Sequence, residues 1–403
     1  MLRKTNLLEP LSQSLGRILP GVTCGVATKG GMHVVIEPHR FFLASFGRKP
    51  RTQGNVAQFT PFRHDQGMGS STQVHLTAAR LQSTLRRFRQ LRILVVGDLM
   101  LDEFIYGRVS RISPEAPVPV VHVEKEVSYP GGSANVGRNL ASLGIHTELS
   151  GTIGQDSAAS RLLSLLRHEK IGTSGICRSH SFPTIRKTRI LARHQQVVRV
   201  DRESPDHISA KERAAVLKKT LQILPHCDAL ILEDYGKGLF DQDFVDALLT
   251  AASAKEIPSL VDPNIHNPLH WSEATLVKPN RLEAFGSLGR PDSGRKEDWL
   301  SAGEELLVRW SCQHLLLTLG EHGMILFQPG RKPYPIASRA REVYDVSGAG
   351  DTVISVLAAG LASKLSGPIA SELANLAAGI VVGKLGTATV SPTEILEAAR
   401  HHG

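Results

Sequence analysis

Apolar and amphipathic runs alternate along the chain from Arg92 onwards. Residues 93–96, within RILVVGDLMLDEF, are all apolar, which is typical of a strand that is buried on both faces of a parallel sheet. Strand-like and helix-like runs then follow in turn: NVGRNLASLG, TELSGTIG, DSAASRLLSLLRHE, DALILED, QDFVDALLTAASAKE, PSLVDP, ATLVKPN, WLSAGEELLVRWS and HLLLTLG. This alternation predicts an α/β domain over residues 91–403, with a mostly parallel sheet and helices on both faces.

Two stretches of this domain alternate polar and apolar residues with a period of two. They are VPVVHVEKEVSYPGG at 118–132 and TIRKTRILARHQQVVRVD at 184–201. A period of two indicates antiparallel strands with one face in water. We therefore expect a small antiparallel β lid, built from segments at about 107–130 and 183–202. Because an exposed sheet edge can pair with another strand, the lid also predicts a homodimer.

The first 90 residues differ from the rest. Residues 1–76 hold no sustained period and are predicted to be mostly irregular. Residues 77–90 place Leu81, Leu85 and Phe88 on one face, which predicts a short basic amphipathic helix. The first 90 residues hold 13 Lys and Arg against three acids, whereas the remainder holds 34 against 35. The net charge of +9 therefore belongs to the extension, and no nucleic-acid partner is expected.

Two interpretations of the extension stay open. Its arginines and its scarcity of acids are typical of an organelle transit peptide. Alternatively, it is upstream sequence ahead of a start at Met68, the interpretation that we favour.

Apolar runs and cysteines limit the class of protein. No apolar run reaches the ~18 residues that a membrane span needs, so no membrane partner is expected. Cys24, Cys177, Cys227 and Cys312 are scattered and form no CxxC pair. This spacing fits a reducing compartment, and we expect a cytoplasmic protein.

Polar residues follow the predicted strands repeatedly. They are Asp98, Asp102, Asp234, Asp262, Asn264, Asn280, Glu283, Thr318 and Gly320. Any one of them could simply cap the next helix. Five strand ends together favour a ligand site, because the carboxyl ends of parallel strands line the crevice where ligands bind.

The stretch DVSGAGDT at 345–352 carries the most specific chemistry. Gly348, Ala349 and Gly350 precede a helix-like run of small residues, so their backbone is predicted to form an anion hole at a helix N-terminus. Asp351 beside it can take a proton from an attacking hydroxyl, and the two together predict phosphoryl transfer. A lone GAGD could equally be a turn with a capping Asp. The sequence has no GxxxxGK[ST] or GxSxG, and no GxGxxG follows its first strand.

Two long motifs, GGSANVGRNLASLG and DVSGAGDTVISVLAAG, resemble the two signatures of the ribokinase-like (phosphofructokinase-B type) carbohydrate kinases. They stand in the family's order, more than 200 residues apart. Gly137 and Val356 depart from the usual residues, but neither contributes a reactive group. The resemblance implies a three-layer ribokinase-like sandwich, ATP as phosphoryl donor and Mg²⁺.

Further stretches, such as GDLMLDEFIYGRVSRISPEAPVPVVHV and AAGIVVGKLGTATVSPTE, resemble the heptose 7-phosphate kinases of ADP-heptose and lipopolysaccharide biosynthesis. That resemblance covers about residues 91–400. It implies phosphorylation of D-glycero-β-D-manno-heptose 7-phosphate at its anomeric hydroxyl, to the 1,7-bisphosphate. The alternative is a kinase for another sugar, sugar phosphate or nucleoside on the same fold.

The resemblance also assigns residues. It implies that Asp351 is the catalytic base beside the anion hole of Gly348, Ala349 and Gly350. The ATP side is then Asn280, Arg281, Leu282, Glu283, Thr318 and Gly320, and the sugar side is Asp98, Asp102, Gly131, Gly132 and Asn135. Asn264 stands where close relatives often carry Lys.

The phosphate of such a sugar would bring about two negative charges that need basic partners. The candidates are Lys187, Arg189, Arg199 and Lys237. Arg189 and Arg199 share strand parity with apolar neighbours, so at least one of them is predicted to point inward. Each could also coat a solvated face.

Overall fold

A computed structural model describes residues 32–37, 40–45, 77–193, 195–204, 208–340 and 342–400. The chain divides into two units, Met1–Ser71 and Thr72–Gly403. In the first unit, strand β1 (Met32–Glu37) pairs antiparallel with β2 (Arg40–Ser45). The sequence analysis does not predict this pair, although its valine, isoleucine and phenylalanine residues favour strands. The other residues predicted to be irregular within 1–76 lie outside the described residues.

The second unit alternates strands and helices as predicted. Its strands are β3 (Arg92–Gly97), β4 (Leu99–Ile112), β5 (Pro119–Gly132), β6 (His146–Ile153), β7 (Gly172–Arg178), β8 (Ile185–Ala192), β9 (Gln195–Arg202), β10 (Ala229–Glu233), β11 (Ser259–Asp262), β12 (Leu276–Val277), β13 (Leu315–Thr318), β14 (Met324–Phe327) and β15 (Tyr334–Ile336). Its helices are α1 (Ala78–Phe88), α2 (Ser133–Ser142), α3 (Ser157–His168), α4 (Ala210–Ile223), α5 (Gln242–Ser253), α6 (Arg281–Leu288), α7 (Lys296–Arg309), α8 (Ala349–Ala362), α9 (Gly367–Val381) and α10 (Pro392–Arg400).

The main sheet, within the described residues, has nine strands in the order β15-β14-β13-β12-β11-β10-β3-β6-β7. Pairings from β13 to β7 are parallel, and β14 and β15 add an antiparallel edge. The sequence analysis does not predict β7, β14 or β15. Because the strands from β13 to β7 run parallel, the loops that follow their carboxyl ends gather along one edge of the sheet.

Helices cover both faces of this sheet, as the consecutive apolar residues of β3 require. Ile93 and Val95 pack on one side with α1, α2, α3, α8, α9 and α10. Leu94 and Val96 pack on the other with α4, α5, α6 and α7. Both cores are apolar and close-packed, so the predicted three-layer sandwich is confirmed.

The helix predicted over 77–90 spans Ala78–Phe88, and Thr77 caps it by accepting a hydrogen bond from the backbone N–H of Arg80. Leu81, Leu85 and Phe88 are buried in the core on the α10 side of the sheet. The basic face stays in water. Among the described residues, every helix is too short or too polar to span a bilayer.

The lid is a second sheet with strand order β5-β4-β8-β9. It starts earlier than predicted, since β4 begins at Leu99, one residue after Asp98. Its outer pairs are antiparallel, but β4 and β8 run parallel, which the period of two did not predict. The reason is topological: β4 follows the carboxyl end of β3 and β8 follows that of β7, so both leave the same edge of the main sheet.

Candidate active site

A cavity of about 690 Å³ lies at the carboxyl ends of β10 to β13. The start of α8 and the segment before it form one of its walls. Residues from the predicted strand ends and from the predicted anion hole line it, including Asp262, Asn280, Thr318, Gly350 and Asp351. Parallel strands place these residues together because each strand delivers the residue after its end to the same edge.

The predicted anion hole is a helix start in the structure. Gly348 is the N-cap of α8 and has φ 81°, a left-handed value that favours glycine. A side chain there would also come within 3.1 Å of Nδ2 of Asn135. The first turn of α8 begins at Ala349 and leaves backbone N–H groups without helical partners, although the N–H of Ala349 donates to the carbonyl of Val346 at 3.2 Å. This arrangement suits an anion.

Asp351 is buried in the first turn of α8. Nδ2 of Asn135 donates a hydrogen bond to its Oδ2 at 2.5 Å, and the hydroxyl of Tyr235 donates to its Oδ1 at 3.3 Å. Burial raises the pKa of Asp351 to about 6, against the lowering effect of the Asn135 hydrogen bond. The carboxylate is therefore ionised at neutral pH and basic enough to take a proton.

An ion pair forms the floor of the cavity. Nζ of Lys278 lies 2.7 Å from Oδ2 of Asp262, and the two side chains are 3% and 13% exposed. Asp262, Glu283 and Glu233 hold the pKa of Lys278 above its usual range despite burial. Burial raises the pKa of Glu283 to about 7, and burial raises that of Glu233 further from its ordinary value. The floor therefore holds one ammonium among several acids.

The six residues assigned to ATP all line the cavity. Asn280 and Glu283 form a capping box at the start of α6, each side chain accepting a hydrogen bond from the other's backbone N–H at 2.9 and 2.8 Å. Arg281 donates to Asp292 at 2.6 Å and lies over the ring of Trp299. Leu282 is 71% exposed, and its apolar surface is available to a ligand. Thr318 forms an isolated parallel β-bridge with Asn280, and Gly320 lines the cavity two residues later.

The residues assigned to the sugar lie where the lid joins the main sheet. Asp98 accepts hydrogen bonds from the backbone N–H groups of Tyr235 and Lys237 at 3.0 and 3.1 Å, and burial raises its pKa to about 6. A Cβ at Gly131 would lie 2.2 Å from Oδ2 of Asp102, so any other residue there would displace that carboxylate. Gly132 has φ 58° and leads into α2, which carries Asn135.

The four basic residues predicted to bind the substrate phosphate differ in their partners and in their exposure to water. Lys187 is half-buried, with Nζ 5.9 Å from the ring centre of Tyr235, next to Asp351. Arg189 donates to Asp102 at 2.6 Å, and Lys237 pairs with Glu203 at 2.7 Å. Arg199 is 50% exposed and pairs with Asp201 on the edge strand β9. Lys187 and Arg189 therefore lie beside residues of the site, Tyr235 and Asp102, whereas Arg199 is paired on the exposed edge strand.

Sequence reasoning missed Lys278, Glu233, Tyr235 and Arg138. Lys278 follows β12 directly and stands two residues before Asn280, so the rule that flagged the other strand ends could have found it. Arg138 donates to Oδ1 of Asn135 at 3.3 Å and thereby orients the amide that reaches Asp351. Arg138 and Asn135 lie three residues apart on α2, so their i, i+3 spacing could have indicated the contact.

Magnesium was expected from the family resemblance, and the donor set fits it. Among the described residues, no three His, Cys, Asp or Glu side chains are arranged to hold a metal by themselves. Mg²⁺ in kinases, however, takes one or two carboxylates and completes its shell with phosphates and water. Glu283 and Glu233 line the cavity, and Oε2 of Glu233 is buried without a hydrogen-bond partner.

Comparisons with known proteins agree with this geometry. The family model "pfkB family carbohydrate kinase" matches residues 90–394. The "Bifunctional protein HldE" of Magnetococcus marinus is 45% identical over 313 residues, which cover 76% of this chain and 64% of that protein. The protein of the same name from Aeromonas hydrophila is 45% identical over 318 residues, 79% of this chain and 66% of its own length. The chain thus spans just under two thirds of these relatives.

Solved structures share the fold at low identity. A ribokinase from Arabidopsis thaliana complexed with ribose and ATP has a TM-score of 0.61 and 18% identity, and covers 77% of this chain and 99% of its own. Phosphofructokinase-2 from Escherichia coli in complex with potassium has a TM-score of 0.63, with the same identity and coverage. Fold, family model and relatives together confirm the predicted class: the chain belongs to the pfkB family of carbohydrate kinases.

Proposed function

We propose that this protein transfers the γ-phosphoryl group of ATP to the anomeric hydroxyl of D-glycero-β-D-manno-heptose 7-phosphate. The observation that carries the proposal is the buried Asp351 carboxylate beside the glycine-rich start of α8. The HldE relatives are 45% identical to this chain over 313 and 318 residues, and this similarity supports the choice of acceptor. The resemblance of the lid sequence to heptose kinases supports it as well.

The residues of the site divide the reaction between them. Asp351 takes the proton of the anomeric hydroxyl as that oxygen bonds to the γ-phosphorus. The bond between the γ-phosphorus and its bridging oxygen breaks, and ADP leaves. The N–H of Gly350, in the first turn of α8, stabilises the charge on the transferred group. Asn135 and Tyr235 hold the Asp351 carboxylate in place through their hydrogen bonds.

Mg²⁺ would be held by Glu283 and Glu233, together with the nucleotide phosphates, and would neutralise part of their charge. Asp262 is less available to a metal because Lys278 occupies its Oδ2. The exposed Leu282 and the segment at Val343 and Val346 line the cavity and offer apolar surface to the adenine ring.

The sugar lies between Asp98 and the lid in this proposal. Asp98 and Asn135 are placed to bind sugar hydroxyls, and Lys187 and Arg189 to bind the 7-phosphate. A second candidate is a sugar without phosphate. It is favoured by one observation: Arg189, Arg199 and Lys237 already pair with carboxylates, at 2.6, 2.9 and 2.7 Å.

We also propose that two copies pair through the lid. Val118, Val123, Val198 and Val200 are 41–52% exposed on its strands or beside them, which leaves apolar surface for a partner. Sedimentation at micromolar concentration is expected to give a dimer, and Val198→Lys with Val200→Lys to give a monomer. An unchanged dimer would place the interface elsewhere. Use of ATP further suggests a cytoplasmic location.

A kinase assay across sugars and sugar phosphates tests the activity. We expect ADP release with heptose 7-phosphate to exceed that with unphosphorylated sugars by at least about 100-fold in kcat/KM, the scale of two charge-assisted hydrogen bonds. Mass spectrometry should find a bisphosphate. A better rate with a sugar that lacks a phosphate would favour the second candidate.

A further inference from the structure

The ammonium of Lys278 lies against the start of α8. A Cβ built on Gly350 would be 3.4 Å from Nζ of Lys278 and 4.0 Å from Oδ2 of Asp262. Gly350 has no side chain, so its backbone leaves the ammonium open to a group seated at the helix start. Lys278 directly follows strand β12. Its backbone N–H donates to the carbonyl of Val261 in the neighbouring strand β11, and this bond holds the residue beside the start of α8.

The cavity is otherwise acidic at this depth. Glu233, Asp234, Asp262, Glu283 and Asp351 all line it. Among its described lining residues the other Lys or Arg is Arg281, and that side chain is held by Asp292 and stacked on Trp299. A triphosphate entering an acidic pocket of low dielectric is repelled unless a local cation offsets the acids.

We propose that Lys278 is a further catalytic residue, whose ammonium contacts the transferred phosphoryl group at the start of α8. Asp262 holds the ammonium in that position through the 2.7 Å ion pair. The inference rests on the proposed kinase function but not on the identity of the sugar. A fixed charge of this kind stabilises the phosphoryl group in the transition state without reorganisation.

The competing explanation is that Lys278 only neutralises Asp262. Lys278→Met alone cannot separate the two, since it leaves a buried carboxylate unpaired and could unfold the protein. The informative comparison is between Asp262→Asn, which keeps the ammonium, and the double variant Asp262→Asn with Lys278→Met, which removes both charges. Lys219→Met is the matched control, because Lys219 donates to the carbonyl of Ile176 on β7, the edge strand of the main sheet, away from β12.

The measurements are kcat, the melting temperature, and the dissociation constants of ADP and of a non-hydrolysable ATP analogue. Relative to Asp262→Asn, the double variant is expected to lose at least about 100-fold in kcat, the usual cost of one preorganised charge. It should bind the ATP analogue about tenfold more weakly and bind ADP unchanged, at a similar melting temperature. Lys219→Met should match the wild type throughout.

Equal kcat in the double variant and in Asp262→Asn would overturn the inference and leave Lys278 a counter-ion. Equal weakening of ADP and the ATP analogue would also overturn it, since the ammonium would then not contact the terminal phosphate. If the wild type phosphorylated only another sugar, the heptose proposal would be refuted. The test of Lys278 would remain valid, because the binding of ADP and of the ATP analogue is measured without an acceptor.

Discussion

The floor of the crevice and the lid both carry ion pairs, but they differ in how water reaches them. On the floor, the Lys278–Asp262 pair has side chains 3% and 13% exposed. On the lid, the Arg199–Asp201 pair has side chains 50% and 27% exposed. Exposed pairs contribute little because water competes for both partners, whereas breaking a buried pair is costly. The floor is therefore set before any ligand arrives, and the lid can rearrange around one.

This difference matches the two halves of the proposed reaction. Phosphoryl transfer needs fixed charges, and the floor supplies them around Asp351. Recognition of an acceptor needs groups that can change partners, and β9 has all eight of its residues exposed. The following predictions test whether the division holds.

The largest effect is expected at the base. Asp351→Asn keeps one acceptor oxygen, which can serve the Asn135 or the Tyr235 hydrogen bond but not both, and it cannot take a proton. We expect kcat to fall by about 10²–10⁴, the usual contribution of a positioned general base. Steady-state assays and nucleotide binding measured on the same preparation check it.

Tyr235→Phe is the control for this variant, since it removes one hydrogen bond to Asp351 but leaves the carboxylate. Its loss should be well below that of Asp351→Asn. If Asp351→Asn turned over near the wild-type rate, the floor would not hold the base, and the comparison would fail at its first point.

The anion hole could be predicted from the sequence more fully than the floor, for a physical reason. Gly348 to Asp351 are contiguous, so one motif specifies a helix start and its chemistry. Lys278 and Asp262 are 16 residues apart and meet only through the register of neighbouring strands. Local pattern cannot reveal a partner that the sheet supplies, so the pair escaped prediction.

The lid shows a different limit. Period two predicts the strands correctly, and the parity of Arg189 and Arg199 is shared, since the two are direct partners in the β8–β9 ladder. Parity does not show which strand is at the edge. Among the described residues β9 is the last strand of the lid, so Arg199 stays in water while Arg189 reaches Asp102. Burial depends on the neighbours of a strand as well as on its own residues.

Lid cations provide the second prediction. Lys187→Ala should lower kcat/KM for heptose 7-phosphate by about 10- to 150-fold, corresponding to ~1.5–3 kcal/mol for a lost charge-assisted hydrogen bond. Arg199→Ala should change it less than about twofold because its ion pair is exposed. Steady-state kinetics on both variants, with Arg189→Ala and Lys237→Ala alongside, check the ranking. A larger loss at Arg199 would mean that the edge strand closes onto the substrate.

The pH dependence of the rate tests the floor again. Asp351 must be ionised to act as a base, and burial raises its pKa to about 6. We therefore expect kcat/KM to fall about tenfold per pH unit below about pH 6 and to be level between pH 7 and 8. Replacing Arg138 with Met frees the amide of Asn135 and should move this limb to higher pH, because the Asn135 hydrogen bond lowers the pKa. If the acid limb of the pH profile did not move, Arg138 would not influence Asp351.

The smallest effect is expected on stability. Burial raises the pKa of Asp234 and of Glu283 to about 7, so the folded protein holds protons there that the unfolded chain has released. Their stabilisation is complete below the ordinary carboxyl pKa and is lost as the pH rises through about 7. Burial lowers the pKa of His314, so this residue has the opposite effect: it destabilises the folded protein as the pH falls.

Without nucleotide, the melting temperature should therefore be higher at pH 6.5 than at pH 8, by a few degrees for roughly 1–2 kcal/mol. Glu283→Gln keeps an oxygen that can accept the backbone N–H of Asn280, and so preserves the capping box while removing the charge. This variant should show a smaller difference between the two pH values, and a lid variant such as Glu203→Gln should show the wild-type difference. If the difference in melting temperature between the two pH values were equal in all three proteins, the buried acids of the floor would not hold the extra protons of the folded state.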